Sequence, residues 1–160
     1  MSSLTPDEWE AVTAEFAASQ ARNDALTSKR RFEAGEFSIE LLRGSDDPPE
    51  DDPAFQAELG EFLRSFRAAG VIVTQEGVAF DALDGGGYAL AVFLVKSLGL
   101  PVVGAAAHVC ATWLRVRADR RLRLKAGDVV AEGATIEEIE RLMKIGAEFC
   151  AATRKNGGKR

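Results

Sequence analysis

The sequence predicts an α+β domain, with a small mixed β-sheet of about four strands, helices packed mainly on one face, and a separate helix at the N-terminus. Three observations carry this. Short segments alternate apolar and polar residues with period two, as in Phe37 to Leu42 and Leu122 to Lys125. Longer segments repeat apolar residues every three or four positions behind capping signals, as in Phe55 to Phe66 and Ile139 to Cys150. A chain of 160 residues, 46% hydrophobic and 28% charged, can bury one core and is neither disordered nor a disulfide scaffold.

The first helix opens at Thr5, with Pro6 at its first position and Glu8 completing a capping box. Trp9, Val12 and Phe16 form its stripe, and the spacing ends it between Ala21 and Lys29, near the basic run Lys29, Arg30, Arg31. A strand follows over Phe37 to Leu42. Gly44 to Pro53 is too rich in acids and prolines to continue either neighbour, so it reads as a loop. Asp52 then caps a helix whose face is Phe55, Leu59, Phe62, Leu63 and Phe66, with Gly70 as a left-handed stop. Val71 to Thr74 reads as a short strand. Gln75 to Gly77 then turns the chain into a second short strand, Val78 to Phe80, or into a loop.

From Tyr88 to Val116 the chain is nearly all apolar, with only Lys96 and His108 able to carry charge before Arg115 near its end. Gly99 and Pro101 split it, and the expectation is two short helices, Tyr88 to Leu98 and Val102 to Val116. Neither piece reaches the roughly 20 apolar residues of a spanning helix. A hairpin follows, Leu122 to Lys125 and Val129 to Glu132, turning at Gly127 and Asp128. Thr135 caps the last helix with Glu138 three residues on. The domain organisation is therefore a helix and connector over 1–33, an α+β domain over 34–152, and a basic, frayed tail over 153–160.

Net charge is −5, unevenly placed: residues 1–80 hold 7 basic and 16 acidic side chains, and residues 81–160 hold 13 and 9. Such a lopsided chain suits head-to-tail association or a charged partner, while an acidic total disfavours general nucleic-acid binding. Arg115, Arg117, Arg120, Arg121, Arg123 and Lys125 form a basic cluster and a candidate interaction surface. The same segment reads first as a solvated strand face, since no aromatics interleave it for base stacking, and second as an electrostatic contact with an acidic protein surface or nucleic acid. Trp9 and Phe16 on the first helix are the second candidate surface.

Catalytic and cofactor signals are weak. His108 is the only histidine, Cys110 would face another side of its helix, and only Thr112 at the fourth position onward is well placed beside it. One histidine and two cysteines about 40 residues apart lack zinc-ligand spacing. The triplet Gly85 to Gly87 lacks a following Lys-Ser/Thr pair, so it reads as a turn before it reads as a phosphate cradle. The acidic loop lacks calcium-loop spacing. No cofactor and no metal are expected. Cys110 and Cys150 read as buried thiols of a reducing, cytoplasmic setting, and Met1 to Glu10 has no secretory pattern.

The run Trp113-Leu114, then arginines, then Arg121 to Glu132, then Thr135 to Leu142, resembles the effector-associated constant component family of bacteria. The upstream order of strand, acidic loop, helix, short strand and glycine-opened apolar segment fits the same pattern. The resemblance covers roughly residues 36–150 and leaves out the N-terminal helix and the segment around Gly99 to Ala107. It implies a small α+β protein encoded beside effectors of conflict and defence systems, acting as an adaptor or regulator without an active site. The implied partner is an effector protein encoded nearby, or a second copy of the chain. Two other functions fit the sequence less directly: a membrane-perturbing effector using 88–116 as a releasable hairpin, and a nucleotide-responsive sensor using Gly85 to Gly87.

Overall fold

The computed structural model describes residues 5–80 and 87–157. Helix α1 spans Pro6–Ala34, β1 Phe37–Leu42, α2 Pro53–Ala68, β2 Ile72–Phe80 and β3 Gly87–Ser97. One turn of 3-10 helix at Leu100–Val102 leads into α3, Val103–Val116; β4, β5 and α4 follow over Arg121–Ala126, Val129–Gly133 and Ile136–Gly157. The fold is α+β as the sequence predicts, but the sheet has five strands in the order β2-β3-β1-β4-β5, and every pairing is antiparallel. It is not a mixed sheet.

The register sets which side chains share a face. Ile39 lies opposite Phe93 on one side and Leu124 on the other, and Leu41 lies opposite Leu122. Because strand side chains alternate, Phe37, Ile39 and Leu41 point to the same face as Phe93, Val95, Leu122 and Leu124, and all are buried. Helices α2, α3 and α4 supply the other half of that core. Phe62 stacks on Phe66 with ring centroids 5.1 Å apart and leans on Phe93 at 5.0 Å. Each fully buried side chain of this size contributes about 1.5–3 kcal/mol relative to exposure. The opposite sheet face carries Ser38, Glu40, Arg121, Arg123 and Lys125, of which none is buried.

The largest departure from expectation is Tyr88 to Leu98, which is the strand β3 and not a helix. Its length and its unbroken apolar run resemble a buried helix. The reason for strand is its position: paired with both β2 and β1, it is internal to the sheet, and Leu94 on the outer face is buried like Ala91, Phe93 and Val95 on the inner. Flanked by strands on both sides and with Leu94 buried on the outer face, the segment loses the regular polar alternation of an edge strand. Val102 to Val116 is helical as expected, and α3 packs on α4 and α2. The apolar segment therefore folds as a strand and a helix, and no helix among the described residues is long and apolar enough to cross a membrane.

Three smaller boundaries also move. Gln75 to Gly77 do not turn the chain; β2 runs through them, with its register to β3 shifting between Glu76 and Val78 as at a bulge. Helix α1 continues past Lys29 to Ala34. It ends where Gly35 takes φ +72° and the Glu36 amide donates to the Arg31 carbonyl at 2.9 Å, a Schellman stop. Helix α4 continues to Gly157, so residues 153–157 are helix and not tail. The predicted capping boxes form: the Glu8 carboxylate accepts from the Thr5 amide at 2.7 Å, and that of Glu138 from the Thr135 amide at 3.1 Å. Gly85 and Gly86 of the predicted turn lie outside the described residues, and Gly87 begins β3.

Candidate functional site

The basic cluster of the sequence does not form one patch. Its members divide among three places, and the division follows from local structure. Arg115 lies on the outer side of α3, exposed. Arg121, Arg123 and Lys125 alternate along β4 onto the open face of the sheet. Arg117 and Arg120 sit on the link between α3 and β4, where Asp119 adopts φ +62° and redirects the chain. That link is covered by the acidic loop after β1.

Arg120 is therefore a core residue, with a side chain 0% exposed against an equally covered Asp47. Its Nε donates to the two Asp47 oxygens at 3.1 and 2.9 Å, and its Nη2 donates to Asp47 Oδ1 at 2.5 Å and Glu58 Oε2 at 2.6 Å. Nη1 donates to the Trp113 carbonyl at 2.9 Å, and the guanidinium lies 4.3 Å from the centroid of the Trp113 ring. Arg117 completes the cluster: its Nε is 3.1 Å from Asp47 Oδ1 and its Nη2 is 3.6 Å from Glu58 Oε1. Its Nη1 donates to the Asp46 carbonyl at 3.1 Å. Two cations meet two carboxylates, so the group carries no net charge to offer a ligand.

The loop is fitted to this cluster at backbone level. The Gly44 amide donates to Asp47 Oδ2 at 2.7 Å, and Ser45 Oγ donates to Asp119 Oδ2 at 3.0 Å. A Cβ at Gly44 would lie 1.9 Å from the Ala118 carbonyl oxygen, so only glycine permits the approach. Burial alone would raise the Asp47 carboxyl, but hydrogen bonds from Arg120 and the Gly44 amide, with the charges of Arg120 and Arg117, outweigh it and hold it below its usual range. For Arg120 burial works downward and is outweighed by its bonds to Asp47 and Glu58, so its affinity for the proton rises.

On the open sheet face Arg123 bridges its two neighbouring strands. Nη1 reaches Glu40 of β1 at 3.1 Å, and Nε donates to Glu132 of β5 at 2.9 Å. These are directly opposed cross-strand pairs. Arg115, Arg121 and Lys125 are exposed and hold no ion pair among the described residues.

Trp9 and Phe16, the second candidate surface, are 57% and 65% exposed on α1. Every described side chain of that helix from residue 6 through residue 27 is exposed. Near its C-terminal end Arg31 forms a 2.6 Å ion pair with Glu76 of β2.

His108 is exposed at a groove between α2 and α3 of about 450 Å³, lined also by Glu58, Glu61, Thr112 and Trp113. The Thr112 hydroxyl donates to the backbone carbonyl of His108 at 2.9 Å, so the pair suggested by their spacing is a helix back-bond and not an imidazole contact. Both thiols are buried as expected. Burial pushes Cys110 far above its ordinary range and raises Cys150, whose Sγ donates to the Gly35 carbonyl at 3.1 Å, so neither is a thiolate nucleophile at neutral pH.

The Asp47–Arg120 cluster is what sequence reasoning missed. A signal existed, since an acidic loop at 46–52 and a basic run at 115–125 are the two densest opposite charges in the chain. Taken one at a time, the two segments read as a calcium loop that lacks its spacing and as a binding face, and only their contact in the fold shows that they neutralise each other. Compared with protein-family models, with curated proteins and with solved structures, the chain has no match.

Proposed function

We propose that this protein is a non-enzymatic adaptor or regulatory module of a bacterial defence or conflict system, binding an effector protein encoded nearby or a second copy of itself. The observation that carries the reading is α1: a helix of 29 residues leaves the body of the domain with Trp9, Val12, Phe16 and Leu26 uncovered. Large apolar residues on an otherwise polar element are an interaction device, because their burial by a partner recovers free energy that the isolated chain forgoes. The resemblance to the effector-associated constant component family supports the same reading and names the class of partner. The Asp47–Arg120 cluster is consistent with it, since its charges satisfy one another instead of poising an acid or a base.

The test is a direct binding measurement between the purified chain and the effector encoded beside its gene. A specific complex weakened about tenfold or more by Trp9→Ala with Phe16→Ala supports the proposal. A chain that binds no neighbouring gene product and stays monomeric at every concentration, or a catalytic turnover abolished by His108→Ala, overturns it.

A further inference from the structure

We infer that α1 is a homotypic docking element, and that two copies of this chain pair their α1 helices antiparallel, with Phe16 of each packed on Leu26 of the other. Among the described residues of α1, the large apolar side chains left exposed are Trp9, Val12, Phe16 and Leu26. In a heptad frame with Trp9 at position a, Phe16 is also a, while Val12 and Leu26 are both d. All four therefore share one seam. The remaining seam positions are Ser19, Asn23, Arg30 and Glu33, so the seam is polar at its middle and charged at its C-terminal end.

A uniformly apolar groove would leave those groups unpaired, which disfavours it as the occupant. A reversed copy of the same helix gives Ser19, Asn23 and Arg30 fitting neighbours and sets Glu33 beside Trp9, whose indole N–H is a donor for the carboxylate. Antiparallel packing sets a against d, and one register places Phe16 against Leu26, Ser19 against Asn23, and Val12 against the aliphatic stem of Arg30. The flanking Glu15 then falls beside Lys29 of the second copy. Charge along the helix selects the same direction: residues 6–20 hold four carboxylates and no cation, while residues 21–34 hold four cations and two carboxylates. Antiparallel pairing lays the acidic half on the basic half twice, and it also opposes the two helix dipoles; parallel pairing lays like on like. Arg30 and Glu33 are exposed, so the body of the domain does not block that end of the seam. The contact is isologous, so it closes at two copies.

The inference deepens the homotypic arm of the proposed function, and its failure is separable: a chain that stays monomeric yet binds its effector loses the pairing and keeps the adaptor role. Sedimentation equilibrium of the full chain should show a mass rising with concentration toward twice 17.2 kDa. Glu15→Lys and Lys29→Glu should each weaken association on the order of tenfold, and the double variant should restore it. Under mild oxidation, a mixture of Phe16→Cys and Leu26→Cys chains should link chiefly 16 to 26, since native Cys110 and Cys150 are buried. A monomer at every concentration overturns the inference. So do crosslinks that are chiefly 16 to 16 and 26 to 26, or a double charge variant no better than the single ones.

Discussion

The Arg120 cluster and α1 depart from the usual distribution of residues in opposite directions. One buries the Arg120–Asp47 ion pair, flanked by the part-exposed Arg117 and Glu58, where apolar side chains are normally found; the other leaves an indole and a phenyl ring in water. In the cluster every charge has a partner within the same chain, and the loop over it is shaped by Gly44 to fit. In α1 the side chains of Trp9, Val12, Phe16 and Leu26 have no cover among the described residues. The comparison teaches that Arg117 and Arg120, part of the most conspicuous charge run in the sequence, serve the fold, while α1 exposes the apolar side chains on which the proposed docking rests.

Substitutions in the two regions should therefore behave differently. Arg120→Ala leaves Asp47 buried beside a half-exposed Arg117 and removes the cover of Trp113; urea unfolding should report a loss of about 3–5 kcal/mol. Stability unchanged by that substitution would break the contrast. Gly44→Ala should cost about 1–3 kcal/mol, because the loop must lift from Ala118 to admit the methyl group.

The pH dependence sharpens the same point. The folded Asp47 carboxyl lies below its ordinary value of 3.8, so its contribution is complete above that value and is lost as pH falls through the lower folded one. Glu8 and Glu138, held down by the backbone amides they cap, act with the same sign. The urea midpoint should thus fall on acidification below about pH 4, and Asp47→Asn should flatten that fall. Arg123→Ala, on the half-exposed sheet face, should cost under about 1 kcal/mol. Phe16→Ala should change monomer stability by no more than about 0.5 kcal/mol while weakening association.

How much of this was legible in the sequence depends on which forces act locally. Capping boxes at Thr5 and Thr135, the Asp52 cap and the β4–β5 hairpin are set by neighbours a few residues apart, and all appear where the residues place them. β3 reads as a helix in the sequence because its apolar run reflects burial between two other strands, a property of the sheet and not of the segment. The Asp47–Arg120 pairing joins residues 73 apart, and no local pattern encodes it. The length of α1 could have been read from Gly35, but the basic run at Lys29 to Arg31 drew the boundary too early. With β3 inside the sheet and α3 in the core, releasing residues 88–116 as a membrane hairpin would dismantle the domain, which adds a large unfolding cost to that reading.

Amide hydrogen exchange of the intact chain, measured at low and at high protein concentration, tests the contrast most directly. The account predicts that protection of residues 6–27 rises with concentration, while residues 44–52 and 117–121 are equally protected at both. Concentration-dependent protection confined to 44–52 and 117–121, with none gained along α1, would contradict it.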